Sequence, residues 1–122
     1  MIGNANWFEI PTIDFERAVQ FYEAAFQVSL KRENTGGEMA MFPGSEGVGS
    51  GALVAPQDGY TPGAAGPVVY LDAGDNLQHV LTRAEQNGGR TLLAKTALPE
   101  GMGFFAHLLD SEGNRVGLHS MA

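Results

Sequence analysis

Three side chains in this sequence could carry acid–base chemistry. Glu9 lies in a short apolar run near the start of the chain, and His107 and His119 lie in two apolar runs near its end. A carboxylate and one or two imidazoles that meet could act as general base and general acid, or hold a divalent metal ion. The same residues could equally be structural, with Glu9 accepting a hydrogen bond from a neighbouring backbone group or histidine.

The alternation of side chains along a strand predicts which of these residues share a face. If the apolar residues around Glu9 pack under a helix, Trp7 and Glu9 point together to the opposite side. The same rule places Gly117 and His119 on one face of the last run. The direction of His107 stays open, because both faces of its run are apolar.

The composition limits the classes of function. The chain has 122 residues, of which 43% are hydrophobic and 17% charged, which suits one folded domain. The net charge is −7 and the seven basic residues are scattered, so we expect no nucleic-acid or membrane partner. The lack of cysteine excludes disulfides and thiol catalysis. Since no signal sequence or long apolar run is present, we expect a soluble, cytoplasmic protein.

The first half of the chain predicts a strand, a helix and three further strands. A β-prone run over residues 7–10 ends at Pro11, and Asp14 then has the position of a helix N-cap. Apolar residues follow with helical spacing as far as Phe26, which predicts an amphipathic helix on a sheet. Strand candidates follow at residues 28–33, 38–42 and 51–54.

The second half repeats this order after a stretch rich in proline and glycine. A strand at residues 68–71 precedes a helix that begins after Asn76 and ends at the two glycines 88–89. Three more strands are predicted at residues 90–95, 103–109 and 115–120.

The two halves also agree residue by residue. An offset of 62 residues places Asn76 on Asp14, and the tripeptide Ser-Glu-Gly recurs at residues 45–47 and 111–113. We interpret this agreement as the duplication of a βαβββ unit. Two unrelated α+β segments could still agree in this way by chance.

Two motifs carry a resemblance to a known family. One is Phe-Glu-Ile-Pro at residues 8–11 with the helix start at 14–22, and the other is Asp-Ser-Glu-Gly-Asn-Arg-Val-Gly-Leu at 110–118. Together they resemble the vicinal oxygen chelate superfamily, which includes glyoxalase I, bleomycin-resistance and fosfomycin-resistance proteins and extradiol dioxygenases. The resemblance implies an α+β fold in which two βαβββ modules form paired partial-barrel sheets around a cup, with the helices on the outer face.

The resemblance also indicates where a metal would bind. Metal-dependent members carry ligands on the first and last strands of each module, and these positions correspond here to Trp7, Val69, Gly117 and one of residues 51–53. None of these side chains is a metal donor. We therefore expect no metal and no other cofactor, which argues against glyoxalase, dioxygenase and fosfomycin-transferase activity. The cup itself could remain, as in the members that bind bleomycin.

The expected function is binding of a small molecule in this cup without a metal. Trp7 could stack against a planar guest, with Glu9 and His119 as polar anchors. The expected ligand-binding residues are Trp7, Glu9, Phe42, Leu53, Val69, Leu71, Gly117 and His119, although Phe42 and Leu53 could equally belong to the core. The alternative is a lyase, an isomerase or a metal-dependent enzyme that uses Glu9 with His107 and His119. A purely regulatory domain also remains open.

The organisation of the chain follows from the same comparison. We expect one domain over residues 1–122, with modules at about 4–55 and 68–121 and a connector at 56–67, in which Tyr60 could close over the cup or simply be exposed. Members of the superfamily usually form homodimers, and exposed sheet edges favour pairing, so we expect a homodimer. Whether a cup closes within one chain or between two is not fixed by the sequence.

Overall fold

The computed structural model describes residues 2–34, 36–44 and 50–122, which form two helices and two four-stranded sheets. The predicted α+β fold of two βαβββ modules is therefore confirmed. The first copy of the Ser-Glu-Gly tripeptide, at 45–47, lies outside the described residues. The first module consists of β1 (Trp7–Pro11), α1 (Phe15–Phe26), β2 (Lys31–Asn34), β3 (Glu38–Met41) and β4 (Ser50–Val54). The second consists of β5 (Tyr70–Asp72), α2 (Leu77–Gln86), β6 (Arg90–Ala97), β7 (Phe104–Leu109) and β8 (Arg115–Ser120).

The two sheets have the same topology. Their strand orders are β1-β4-β3-β2 and β5-β8-β7-β6, and in each sheet the first strand of the module runs parallel to the last. The other pairs are antiparallel. Within the described residues the sheets do not close into a barrel. The shared order brings the first and last strands of each module side by side, so side chains from both ends of a module can meet on one face.

Capping residues set the helix boundaries. The side chain of Asp14 accepts a hydrogen bond from the Arg17 N–H at 3.1 Å, and the side chain of Asn76 accepts one from the Gln78 N–H at 3.0 Å. Both are N-caps of the predicted kind. After α2 the chain turns at Gly88, whose φ of +97° suits a residue without a Cβ. Neither helix in the described part of the chain is long and apolar enough to cross a membrane.

The helices pack against each other inside one core shared by both sheets. Both helices lie on the side of their sheet opposite Trp7, Glu9, Gly117 and His119, in agreement with the predicted fold. They also contact each other because α1 is apolar on more than one side: Phe21 is buried in addition to the predicted stripe. Its ring packs on Gly89 of the second module, where an added Cβ would lie 2.7 Å from the ring. The sheet faces turned away from the helices are consequently open.

The turn between β7 and β8 fastens the second module to the start of α1. Glu112 accepts hydrogen bonds from the N–H groups of Ile13 at 2.9 Å and Asp14 at 2.7 Å, and it pairs with Arg17 at 2.9 Å. Burial alone would raise the pKa of Glu112, but these bonds and one from the hydroxyl of Ser111 outweigh it and lower the pKa to about 2. The carboxylate therefore stays charged, and it accepts from the two N–H groups that directly precede α1.

A second contact from the same turn reaches the middle of α1. The buried Tyr22 hydroxyl donates to the Asp110 carboxylate at 2.6 Å. Asp110 also accepts hydrogen bonds from the backbone N–H groups of Glu112 and Asn114, at 2.8 and 2.9 Å. Burial, followed by the charge of Asp110, raises the pKa of Tyr22 well above its usual range, so this tyrosine stays neutral. The motif at 110–118 thus joins the two modules.

Candidate functional site

Each sheet has one face that points away from the helices, and the strand registers identify the residues on it. In the first sheet the pairs Trp7 with Ser50 and Glu9 with Ala52 lie on this side, because their neighbours along the strands enter the core. We call the two surfaces the first and second open face. The first open face carries Trp7, Glu9, Met39, Met41, Ser50 and Ala52. The second carries Tyr70, Phe105, His107, Arg115, Gly117 and His119.

Glu9 anchors a small cluster on the first open face. Its carboxylate accepts hydrogen bonds from the Tyr60 hydroxyl at 2.7 Å and from the Trp7 indole N–H at 3.3 Å. The bond to Glu9, and then the charge of its carboxylate, raise the pKa of Tyr60. The Trp7 side chain remains 43% exposed. Tyr60 thus joins the connector to this face. The exposed part of the Trp7 ring lies beside the charged carboxylate of Glu9.

Tyr70 is a large, partly exposed side chain on the second open face. Its ring lies directly on Gly117 of the neighbouring strand, and a Cβ added to Gly117 would overlap the ring. Gly117 is buried for this reason, whereas Tyr70 is 49% exposed. The tyrosine therefore fills the space into which a side chain at position 117 would project.

Tyr70, His107 and Arg115 form a chain of hydrogen bonds on the same face. The Tyr70 hydroxyl lies 2.6 Å from Nε2 of His107, and a terminal guanidinium nitrogen of Arg115 lies 3.1 Å from Nδ1. Burial, followed by the positive charge of Arg115, lowers the pKa of His107. The imidazole is accordingly neutral at neutral pH.

His119 borders an apolar depression next to this chain. Its Nε2–H donates to the Met102 carbonyl at 2.6 Å, since a carbonyl oxygen can only accept. The depression has a volume of about 460 Å³ and is lined by Tyr70, Leu98, Phe105 and His119. The second open face thus combines apolar surface with a few fixed polar groups, as ligand pockets do.

The sequence model of the Glyoxalase/Bleomycin resistance protein/Dioxygenase superfamily matches residues 4–118. The chain belongs to this superfamily. Membership agrees with the resemblance seen in the two sequence motifs. Among curated proteins, none matches this superfamily member.

Solved structures share the fold of this superfamily member over nearly its whole length. A glyoxalase-related enzyme from Fulvimarina pelagi has a TM-score of 0.72 and 16% identity, with 98% of this chain and 88% of that chain covered. TnmS3, an antibiotic binding protein from Streptomyces sp. CB03234, has a TM-score of 0.69 and 22% identity, with 99% and 98% covered. A glyoxalase I variant from Zea mays has a TM-score of 0.63 and 16% identity, with 94% and 45% covered. These identities show a common fold.

The three candidate catalytic residues of this superfamily member do not meet within one chain. Glu9 lies on the first open face and bonds to Trp7 and Tyr60, while His107 and His119 lie on the second. The direction of His107, which the sequence left open, is toward solvent on that face. In residues 2–34, 36–44 and 50–122, no three His, Cys, Asp or Glu side chains are grouped so that they could hold a metal ion.

Three of the expected ligand-binding residues lie on the helix side of the sheets instead. Leu53 is fully buried in the core. The Phe42 ring packs 5.7 Å from Phe8 and 5.4 Å from the buried Tyr22. Leu71 pairs with the buried Leu118 and packs on the same core. Apolar character alone could not separate core residues from residues of an open face in these short strands.

The expected position of Val69 is wrong by one residue. Four positions separate the core residue Ile10 from the N-cap Asp14, but five separate its counterpart Leu71 from Asn76. The extra residue in the turn before α2 shifts the strand, so that Tyr70 rather than Val69 shares a face with Gly117. Val69 instead lines a cavity of about 170 Å³ between the modules, together with Glu9 and Arg115.

The residues at the metal positions of the superfamily do not fit a divalent ion. Trp7 and Gly117 are on open faces, and Ala52 is the member of the 51–53 run that shares such a face. An indole, a hydrogen atom and a methyl group offer no lone pair suited to such an ion. These three positions therefore offer no ligand to a metal ion.

The second open face contains residues that sequence reasoning missed. Tyr70, Phe105 and Arg115 had no role in the sequence prediction, and their arrangement depends on register between strands far apart in sequence. One signal was available, since a glycine opposite an aromatic residue on a neighbouring strand often leaves room for its ring.

Proposed function

We propose that this chain is a metal-free small-molecule binding protein that holds a planar, partly apolar ligand against its open faces. The observation that carries the proposal is the exposure of large aromatic side chains beside fixed polar groups: Trp7 is 43% and Tyr70 49% exposed. Trp7 is on the first open face and Tyr70 on the second, and both faces point away from the helices. Concave or sheltered apolar surface with a few polar anchors is the usual character of a ligand site.

The expected contacts divide between the two faces. Trp7 offers a flat ring for stacking, and the carboxylate of Glu9 beside it gives this face a negative charge. On the second face His119 and Phe105 border the apolar depression. Gly117 contributes by leaving room for Tyr70, so its role is spatial. A neutral or cationic ligand suits a chain whose net charge is −7.

The proposal that no metal is bound is based on the side chains at the superfamily's metal-ligand positions. Trp7, Ala52 and Gly117 occupy the positions that would need ligating side chains. The fold shared with an antibiotic binding protein agrees with ligand binding as the activity, although at 22% identity this likeness concerns the fold. The predicted lack of nucleic-acid partners and the predicted cytoplasmic location stay predictions.

A homodimer would give the ligand a closed site. In one chain the two open faces meet at a cavity of only about 170 Å³. A second copy packed on them would cover Trp7 and Tyr70 and turn open surface into the walls of a cup. Isologous pairing of this kind is the commonest form of protein assembly.

The alternative is a lyase, an isomerase or an enzyme with a relocated metal. It has less support, because Glu9 and the two histidines lie on different faces and each already has a hydrogen-bond partner. Such an enzyme would need the two faces to be brought together by a second copy.

Equilibrium dialysis with fluorene, a planar aromatic hydrocarbon, tests the proposed function. The protein should retain fluorene, and Trp7→Ala should weaken its binding roughly three- to tenfold, because a stacking surface is lost. Ile13→Ala is the matched control, since Ile13 is 66% exposed but lies before α1, away from both open faces. Failure of the unmodified protein to retain fluorene would contradict the proposal.

A further inference from the structure

The contact with Arg115 fixes the position of the hydrogen on His107. A guanidinium group has only donors, so Nδ1 of His107, 3.1 Å from Arg115, must accept. A neutral imidazole has one hydrogen, which must then be on Nε2. The lowered pKa of His107 is consistent with this neutral form.

This assignment determines the direction of the next hydrogen bond. Nε2–H of His107 donates to the Tyr70 oxygen at 2.6 Å. The hydroxyl hydrogen of Tyr70 is then not used in this contact, and no acceptor for it is found in the described part of the chain. Hydrogen bonds in a chain polarise one another, so the donation from His107 makes Tyr70 a better donor.

Arg115, the first residue in this chain of hydrogen bonds, is itself held in place by two further hydrogen bonds. Its backbone N–H donates to the Gly63 carbonyl at 3.3 Å, and its Nε–H donates to the Ala64 carbonyl at 3.2 Å. Both carbonyls belong to the connector between the modules. A group held by a second layer of contacts is the kind that positions a ligand.

We infer that Arg115, His107 and Tyr70 form a hydrogen-bond relay whose last member donates its free hydrogen to a carbonyl oxygen of an aromatic ligand on the second open face. The inference deepens the proposed function and rests on it, because it names the ligand class for the same site. The Phe105 ring, 6.4 Å from that of Tyr70, supplies the adjoining aromatic wall. A ligand with a carbonyl oxygen on a planar ring system matches this combination of donor and apolar wall.

Fluorenone and fluorene form a matched pair of probes, because they differ in a single carbonyl group. In equilibrium dialysis fluorenone should bind about three- to tenfold more tightly than fluorene, the effect of one net hydrogen bond. Tyr70→Phe should lower the affinity for fluorenone to that for fluorene, and His107→Ala should reduce the difference. His79→Ala, an exposed histidine of α2, is the matched control and should keep the difference.

The outcomes separate this inference from the proposed function. If the unmodified protein binds both probes equally, the relay is overturned while ligand binding stands. If it binds neither, the proposed function fails and the inference fails with it. If Tyr70→Phe still binds fluorenone more tightly than fluorene, the relay is also overturned.

Nitrogen NMR of His107 gives a test that needs no probe. At neutral pH the relay requires a neutral ring with its hydrogen on Nε2, and Arg115→Gln should disturb this form. A ring with its hydrogen on Nδ1, or a protonated ring, would overturn the inference whatever the dialysis shows.

Discussion

Glycines opposite aromatic residues shape both modules at the scale of single residues. Gly117 supports the ring of Tyr70 on the second open face, and Gly51 supports the ring of Phe8 on the helix side of the first sheet. The same pairing therefore occurs twice, on opposite sides of the two sheets. The extra residue before α2 turns Tyr70 to the open face, at the position that Glu9 has in the first module.

The two glycines should respond differently to substitution by alanine. Gly51→Ala forces Phe8 into a packed core and should lower the free energy of unfolding by about 1–3 kcal/mol. Gly117→Ala displaces Tyr70, which is 49% exposed and can turn toward solvent once its bond to His107 is broken, so the expected loss is about 1 kcal/mol or less. Urea denaturation of both variants measures the difference.

Each variant is the other's control, since both add one methyl group beneath an aromatic ring. Equal losses, or a larger loss for Gly117→Ala, would mean that the Tyr70 ring is not free to move. Gly117→Ala should also remove the contact between Tyr70 and His107, which is visible as a change in the histidine resonances.

The sequence predicted part of the site at this scale. The alternation rule correctly placed Trp7 and Glu9 on one face and Gly117 with His119 on another, since these strands have clear core residues at every second position. Val69 was placed by counting back from the start of the helix as in the first half, and this count failed because a one-residue difference in a turn inverts every side chain of the strand before it.

At the scale of elements, the turn at residues 110–114 holds the segment just before a helix of the other module. Its sequence was recognisable as a family motif, and the helices themselves were predictable from Asp14 and Asn76. What could not be predicted was the partner of Glu112, which lies 98 residues from Asp14 in sequence. Local sequence patterns predict the capping residue next to a helix, but not hydrogen bonds that come from a distant turn.

Glu112→Gln should therefore destabilise the whole chain. The substitution removes the charge paired with Arg17 and weakens the bonds to the N–H groups of Ile13 and Asp14, and we expect a loss of about 1–3 kcal/mol in the free energy of unfolding. Thermal and urea denaturation check this. Glu100→Gln, a change of the same kind in an exposed turn, should have almost no effect.

The same residue predicts how stability depends on pH. The pKa of Glu112 is about 2 in the folded chain and near its ordinary value of 4.5 when unfolded, so the unfolded state binds the proton first as the pH falls. Its contribution is complete above pH 4.5 and is lost toward pH 2. Glu112→Gln should thus show a shallower loss of stability than the unmodified protein across this range. If the stability of the two proteins falls equally steeply between pH 4.5 and pH 2, the lowered pKa of Glu112 is contradicted.

At the scale of the whole molecule, the helices bind the modules together and leave the sheets facing outward. The repeat of two βαβββ units was predictable, because both halves contain the same order of caps, apolar spacing and glycine turns. The contact between the two helices was not predictable, since it depends on side chains such as Phe21, whose ring packs on Gly89 of the other half. A stripe of apolar residues along a helix indicates that the helix packs against another element. It does not indicate how many elements the helix contacts.

The outward faces lead to the prediction that the protein is a homodimer. Sedimentation at micromolar concentration should give twice the chain mass of 12.9 kDa. Leu93, which is 37% exposed and pairs with His107 on the side of the second open face, offers a way to separate the copies. Leu93→Glu should shift sedimentation toward the monomer, because burying an unpaired carboxylate in an interface is unfavourable.

Ile13→Glu introduces the same charge at a residue that is 66% exposed and outside both faces, and it should leave the dimer intact. If a closed cup between two copies is what retains the ligand, Leu93→Glu should also weaken fluorene binding while Ile13→Glu does not. A Leu93→Glu monomer that binds fluorene as well as the unmodified protein would show that one chain is sufficient for binding. If the unmodified protein sediments as a monomer, the predicted dimer is wrong. Ligand binding would then have to be explained by the open faces of a single copy.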